Sequence, residues 1–193
     1  TATCRPNGTL QSNSKRHSTM ETPHDTPLKQ SYRVTDGLYA GEYPGDKNVE
    51  SAETKIEQMI AFGIRHFIDL TEQGEMTPYS HLLPDGCTHE RFPIVDVSIP
   101  SDVDAVLALM RTIDRRLDAN GYTYIHCHGG VGRTGVIVGC YLAWTARHRQ
   151  PSFNGTMHHL RQLFKMMPKS AYRITPETKE QERFISTFID KMI

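Results

Sequence analysis

The chain has 193 residues, 37% of them apolar and 23% charged, with 22 basic residues against 22 acidic ones. That length holds one domain with a real core and an appendage, and a net charge of zero gives nucleic acid no electrostatic footprint to follow. No apolar run approaches the roughly 18 residues that cross a bilayer, so no membrane span is expected.

Residues 1–30 read as a polar tail in which Leu10, Met20 and Leu28 are the only large aliphatics. Composition predicts disorder there, with a folded domain over residues 31–193. The tail lacks the apolar stretch of a secretory signal. Thr1 in place of an initiator Met leaves an upstream segment open.

Tyr32–Val34 and Leu38–Ala40 read as short strands joined by a turn at Asp36-Gly37. Val49, Ala52, Ile56, Met59 and Ile60 recur at helical spacing, and Gly63 closes that helix. Ile64–Leu70 is a predicted strand. A polar loop runs through Pro84-Asp85-Gly86, and Glu90–Val95 is the next strand. Ser101 is the expected N-cap of a helix whose apolar face is Val103, Val106, Met110, Ile113 and Leu117, ending at Asn120-Gly121. Tyr122–Cys127 is a β-prone run that enters a glycine cluster. Val136–His148, apolar almost all round, predicts a buried helix. Two more helices are expected over Phe153–Met166 and Pro176–Met192, the latter with Thr175 as N-cap and Pro176 at the first position. Strands separated by helices make this an α/β fold with helices packed on a sheet.

The informative stretch is His126-Cys127-His128-Gly129-Gly130-Val131-Gly132-Arg133-Thr134-Gly135. If a strand ends at Cys127 and a helix begins near Arg133, the glycine-rich turn between them points backbone N–H groups at one spot. Backed by a helix N-terminus, such a nest binds a tetrahedral anion. His128, Gly129, Gly130, Val131 and Gly132, with Arg133, are therefore the candidate phosphate cradle. Cys127 lies at its base, where the N–H dipoles and the Arg133 cation favour thiolate over thiol, and a thiolate attacks phosphorus. Arg133 offers a planar fork for two phosphate oxygens that Lys cannot reproduce. The Thr134 hydroxyl is placed to hydrogen-bond the sulfur and help it leave.

These residues match the Cys-x5-Arg-Ser/Thr signature of the protein tyrosine phosphatase superfamily, His126 included. From about residue 31 to 190 the order of elements resembles the small dual-specificity members. The resemblance implies a central mixed, largely parallel sheet flanked by helices, with the signature loop between a strand and a helix. It implies a phosphocysteine intermediate and a general acid on a loop about 30 residues before the nucleophile. Asp96, 31 positions before Cys127 in Phe92-Pro93-Ile94-Val95-Asp96, fits that place. Asp102 and Asp104 compete, but both suit the negative charge favoured at a helix start. The resemblance also puts Gln181, in Thr175-Pro176-Glu177-Thr178-Lys179-Glu180-Gln181, where a Gln orients the hydrolytic water; an exposed helical Gln is the alternative. The implied substrate is a phosphorylated protein, phosphotyrosine first and phosphoserine or phosphothreonine as well. A phosphoinositide or inositol-polyphosphate phosphatase is the second reading, and a phosphate-binding pseudophosphatase the third. The signature loop carries no Lys or Arg at its variable positions, which favours phosphoprotein.

Competing readings are weaker. Gly130 to Gly135 also spells GxGxxG, but no acidic residue occurs between Val136 and Thr175 to hold a ribose. A P-loop lacks its Gly-Lys pair. His126, His128, His158 and His159 show no metal spacing, and no metal or cofactor is expected because Arg133 and the loop N–H groups replace one. His126 reads as a loop-ordering residue, and His158-His159 as helix surface. The four cysteines, Cys4, Cys87, Cys127 and Cys140, form no paired framework, which points to a reducing cytoplasm. Cys140 reads as core, and Cys87 as a surface thiol or a redox partner for Cys127. The basic stretch Arg147, Arg149, Arg161, Lys165, Lys169 and Arg173 either draws acidic substrates or is solvated surface. Oligomeric state is not legible.

Overall fold

The computed structural model describes residues 25–119 and 121–192. Most of the polar tail, with Cys4, Leu10 and Met20, and the helix-ending Asn120 lie outside the described residues. Leu28 lies within them and is buried, although its surroundings in sequence are polar. Its backbone N–H and carbonyl are both held by the Ser31 hydroxyl.

Five short strands form one sheet: β1 (Ser31–Thr35), β2 (Leu38–Gly41), β3 (Ile64–Asp69), β4 (Thr88–Arg91) and β5 (Tyr122–His126). Their order is β1-β2-β5-β3-β4, with β1 antiparallel to β2 and every other pair parallel. Period-two alternation sorts the strand side chains onto two faces. Leu38, Ala40, Ile68 and Ile125 join a large core with α2 (Val103–Asp118), α3 (Gly132–Thr145), α4 (Phe153–Phe164) and α5 (Lys179–Met192). Tyr39, Phe67 and Tyr124 face a smaller core under α1 (Val49–Phe62). The expected mixed, largely parallel sheet between helices is therefore the observed one.

Helix ends depart from expectation where a stronger cap competes. Asp102, not Ser101, caps α2, because its two carboxylate oxygens accept from the N–H groups of Asp104 and Ala105. Asp104 pairs with Lys191 at 2.7 Å. Both rivals to Asp96 are thus occupied elsewhere. At α5 the helix begins three residues after Pro176. Thr178 and Gln181 form a capping box: the Thr178 hydroxyl accepts from the Gln181 N–H, and Gln181 Oε1 accepts from the Thr178 N–H. The Thr175 hydroxyl instead donates to the Val131 carbonyl at 2.7 Å.

Other bounds shift as well. α3 starts inside the signature loop at Gly132 and stops at Thr145, and α4 stops at Phe164. Val49 opens α1 but is 63% exposed, off the buried face of Ala52, Ile56 and Met59. The strand expected at Glu90–Val95 runs from Thr88 to Arg91. Beyond it Phe92 and Ile94 still donate to the carbonyls of Asp69 and Leu70, but Pro93 between them has no N–H to continue a ladder.

Candidate active site

The parallel strands β2, β5, β3 and β4 end on one edge of the sheet, where crevices form in α/β folds. There the loop after β5 carries the signature, the loop after β4 carries Asp96, and the loop after β3 carries Glu75. A cleft of about 320 Å³ at this edge is lined by Asp96, Val97, Cys127, His128, Arg133 and Lys169, among others.

Cys127 follows the last residue of β5 and is 3% exposed. The Gly130 N–H donates to its Sγ at 3.3 Å. Gly130 has φ 72°, and a Cβ there would fall on the backbone of Gly41, so this turn demands glycine. Three contacts pin the loop from outside: Tyr43 N–H to the His128 carbonyl, Lys169 Nζ to the Gly129 carbonyl, and Thr175 to the Val131 carbonyl. Directly after Val131, α3 begins, so its unpaired first-turn N–H groups and positive dipole end face the cleft.

Arg133 is almost fully buried and held on both nitrogens of its fork. Nη1 and Nη2 each lie 2.7 Å from one oxygen of Glu75, Nη1 donates to the Ile94 carbonyl at 3.0 Å, and Nη2 lies 2.9 Å from Asp96 Oδ1. Hydrogen bonding from Arg133 holds the Glu75 carboxyl below the usual range. Asp96 stands at the opposite wall with a side chain 62% exposed. Its neighbour Val97 has φ 57° and is 55% exposed, an unusual conformation for a β-branched residue.

His126 is fully buried, with Nε2 2.6 Å from the Tyr79 hydroxyl and Nδ1 3.9 Å from Asp69. Burial pushes its imidazole down to about 4, so it is neutral at physiological pH. The Thr134 hydroxyl is buried without a hydrogen-bond partner among the described residues, Cys127 Sγ included. Gln181 is not the exposed helical residue of the alternative reading. It is fully buried, and its Nε2 donates to the Ser98 carbonyl on the loop that carries Asp96 at 3.0 Å.

The remaining candidates separate. His128 is exposed at the cleft mouth, and His158 and His159 are exposed on α4. No cluster of three or more His, Cys, Asp or Glu side chains able to hold a metal occurs among the described residues. Cys140 is buried in α3. Cys87 precedes β4, at the strand ends opposite Cys127; His66 links Thr88 to Thr123, four residues before the nucleophile. That separation is well beyond the roughly 7 Å between Cα atoms that a disulfide tolerates. Of the basic stretch, Lys169 and Arg173 line the cleft, while Arg161 and Lys165 line another groove and Arg147 packs on Trp144. Glu75, Tyr79, Asp69 and Arg91 were not singled out from the sequence. Among them Asp69, a carboxylate inside the predicted strand Ile64–Leu70, was the visible signal.

Residues 42–147, more than half of the chain, match the family model described as "Polymorphic toxin system, DSP-PTPase phosphatase". The chain belongs to this DSP-PTPase family. It is 31% identical over 120 residues to putative tyrosine phosphatase 067L of Invertebrate iridescent virus 3, covering 60% of this chain and 46% of that protein. The chain thus spans less than half the length of that relative. Dual specificity protein phosphatase OPG106 of Variola virus is 28% identical over 166 residues, covering 82% of this chain and 83% of that one. Among solved structures, Tk-PTP in its active form superposes with a TM-score of 0.66 at 20% identity, over 84% of this chain and 97% of that one. The fold of this DSP-PTPase is therefore shared well beyond recognisable sequence identity.

Proposed function

We propose that this chain hydrolyses phosphate monoesters on proteins through a phosphocysteine intermediate, with phosphotyrosine as the first substrate and phosphoserine or phosphothreonine also accepted. The observation that carries the reading is one constellation: Cys127 Sγ under a loop N–H at the start of α3, with Arg133 and Asp96 on the same cleft. The cradle of residues 128–132 and Arg133 binds the phosphoryl group, whose oxygens replace Asp96 on the Arg133 fork. The Cys127 thiolate attacks phosphorus, the phosphorus–oxygen ester bond breaks, and Asp96 gives its proton to the leaving oxygen. Water then attacks the phosphocysteine, Asp96 takes a proton from it, and the phosphorus–sulfur bond breaks to release phosphate and the thiolate. The unpartnered Thr134 hydroxyl is available to the departing sulfur. Neutral His126 orders the loop below, and Gln181 acts on the acid loop as a positioning residue through Ser98.

Charge pairing favours a protein monophosphate over an inositol polyphosphate. The three cations of the cleft already have carboxylate partners: Arg133 with Glu75 and Asp96, Lys169 with Glu42, and Arg173 with Glu177. Among the described residues, a second phosphate would have to displace Glu42 from Lys169 or Glu177 from Arg173 as well. Val97, Tyr172 and Ile174, each more than half exposed beside the cleft or next to a residue lining it, offer apolar contact to a polypeptide. A reducing cytoplasm suits a nucleophile that must remain a free thiol.

The test is hydrolysis of an aryl phosphate in EDTA by wild type and by Cys127→Ser. Turnover by wild type alone, with phosphate binding retained in the variant, is the expected result. Appreciable turnover by Cys127→Ser would refute the covalent route. An inactive wild type that still binds phosphate would make the chain a phosphate-reading pseudoenzyme.

A further inference from the structure

At the ends of three strands lies an ionic cluster around a buried carboxylate that the chemistry above does not use. Asp69 closes β3 and is in register with Arg91 on β4 and His126 on β5, so three strand ends bring these groups together. Asp69 is fully buried. One carboxylate oxygen accepts from the N–H and hydroxyl of Thr71, at 2.9 and 2.6 Å. The other lies 3.1 Å from both His89 Nε2 and Arg91 Nη2.

Arg91 turns the cluster outward. Its Nη1 donates to the Thr71 carbonyl at 2.8 Å, the Thr71 hydroxyl at 3.0 Å and the Glu72 carbonyl at 2.9 Å. These groups begin the turn that presents Glu75. Within that turn the Glu72 N–H donates to Glu75 Oε2, and the Glu75 N–H donates to the Glu72 carbonyl. Glu75 in turn grips both ends of the Arg133 fork. The path from Asp69 to Arg133 is thus a continuous run of charge-assisted hydrogen bonds.

Folding stability alone does not account for such a cluster, because well-packed apolar residues are often as good as or better than a buried ion pair. A guanidinium that must meet phosphate in one orientation gives it a reason, since a supporting layer fixes the rotamers of the groups that touch ligand. We propose that Asp69 and Arg91 are positioning residues that aim Arg133 at the phosphoryl group, acting through the Glu72–Glu75 turn. This rests on the reading of Arg133 as the phosphate clamp.

The experiment compares wild type with Arg91→Gln, Glu75→Gln and the double variant, reading the Kd of inorganic phosphate by calorimetry, kcat and KM on an aryl phosphate, and Tm. If Arg91 acts through Glu75, Arg91→Gln weakens phosphate binding by about 10-fold, and the double variant binds no worse than Glu75→Gln alone. Additive losses in the double variant, or a lowered Tm with unchanged phosphate Kd, overturn the proposal. Arg91→Lys guards against a variant that does not fold. It keeps a charge for Asp69 but loses the fork to Thr71 and Glu72, so it is expected to recover Tm and not phosphate affinity. A folded Arg91→Lys with wild-type affinity also overturns the idea. An active wild type with indifferent Arg91 variants sinks this inference alone. A wild type that neither turns over nor binds phosphate sinks the clamp reading with it.

Discussion

The two walls of the cleft solve the same geometric problem in opposite ways. Each needs one residue in the left-handed region of backbone space. On the signature wall that residue is Gly130, pressed against Gly41 and locked by contacts from Tyr43, Lys169 and Thr175. On the acid wall it is Val97, exposed, in a turn closed by the Ser98 N–H on the Val95 carbonyl. One wall is relaxed and tied down; the other is strained and tied chiefly through Arg133 and Gln181. A binding site for a fixed charge profits from the first arrangement. The role proposed for Asp96, to let substrate in, donate a proton and then take one back, profits from the second.

Substitutions on the two walls should therefore differ in kind. Arg133→Lys keeps the charge and removes the fork, and we expect kcat/KM to fall on the order of 10³-fold with weakened phosphate binding, since bidentate geometry is lost. A loss under 10-fold would mean that charge alone suffices and that the signature wall needs no fixed geometry. Asp96→Ala should cost roughly 100-fold in kcat at neutral pH. Phosphate affinity should hold or improve, because Arg133 loses a competing carboxylate. Kinetics on an aryl phosphate with a good and a poor leaving group check this: the deficit should shrink for the better one. Equal deficits would remove Asp96 from the acid role.

How legible each wall was follows from chain distance. Cys127, the glycines and Arg133 share one loop, so their chemistry stood in a single stretch of sequence. Asp96 was reachable because a family resemblance supplied the spacing. Glu75 was not, since it meets Arg133 across 58 positions and no local pattern marks a loop residue that parallel strand ends bring inward. The cap of α5 failed differently. Thr175-Pro176 and Thr178-x-x-Gln181 are both good starts on paper, and the tertiary demand of Val131 for the Thr175 hydroxyl decides between them. The strand after the polar loop was misplaced because apolar content was followed past Pro93, where a ladder cannot continue.

Acid should weaken the signature wall from beneath. Burial holds His126 down at about 4 against an ordinary 6.5, with Asp69, Tyr79, His89 and Arg91 facing it or its carboxylate neighbour. Between those values the unfolded chain binds a proton that the folded one refuses, so stability rises with pH. The contribution is complete above about 6.5 and is lost as pH falls towards 4, on the order of 3 kcal/mol. Burial alone would raise the Asp69 carboxyl, but hydrogen bonds from His89 and Thr71 and the pull of His126 keep it at about 2. Its share survives to lower pH and disappears as pH drops from about 4 to 2. Tm measured from pH 7 to 4 should fall in wild type and stay flatter in His126→Gln. Parallel curves would place the acid-labile group elsewhere.

The smallest expected effect is the most direct probe of the strained wall. Val97→Gly removes a side chain from a backbone conformation that costs a β-branched residue about 1–3 kcal/mol, while the added freedom of the unfolded chain costs about 0.4–1 kcal/mol. The balance is a stabilisation of about 1 kcal/mol, read as a rise in the midpoint of urea unfolding at constant slope. Turnover should move the other way by a few fold, because a glycine beside Asp96 widens the range of carboxylate positions around the one that reaches the leaving group. The same substitution logic reversed at Gly130, by Gly130→Ala, should lose stability and phosphate affinity together, since the new Cβ meets the rigid Gly41–Glu42 backbone. If Val97→Gly gains no stability, the turn is not strained, and the contrast between the walls reduces to burial. If it gains stability and keeps full turnover, the strain is real but does nothing for the acid.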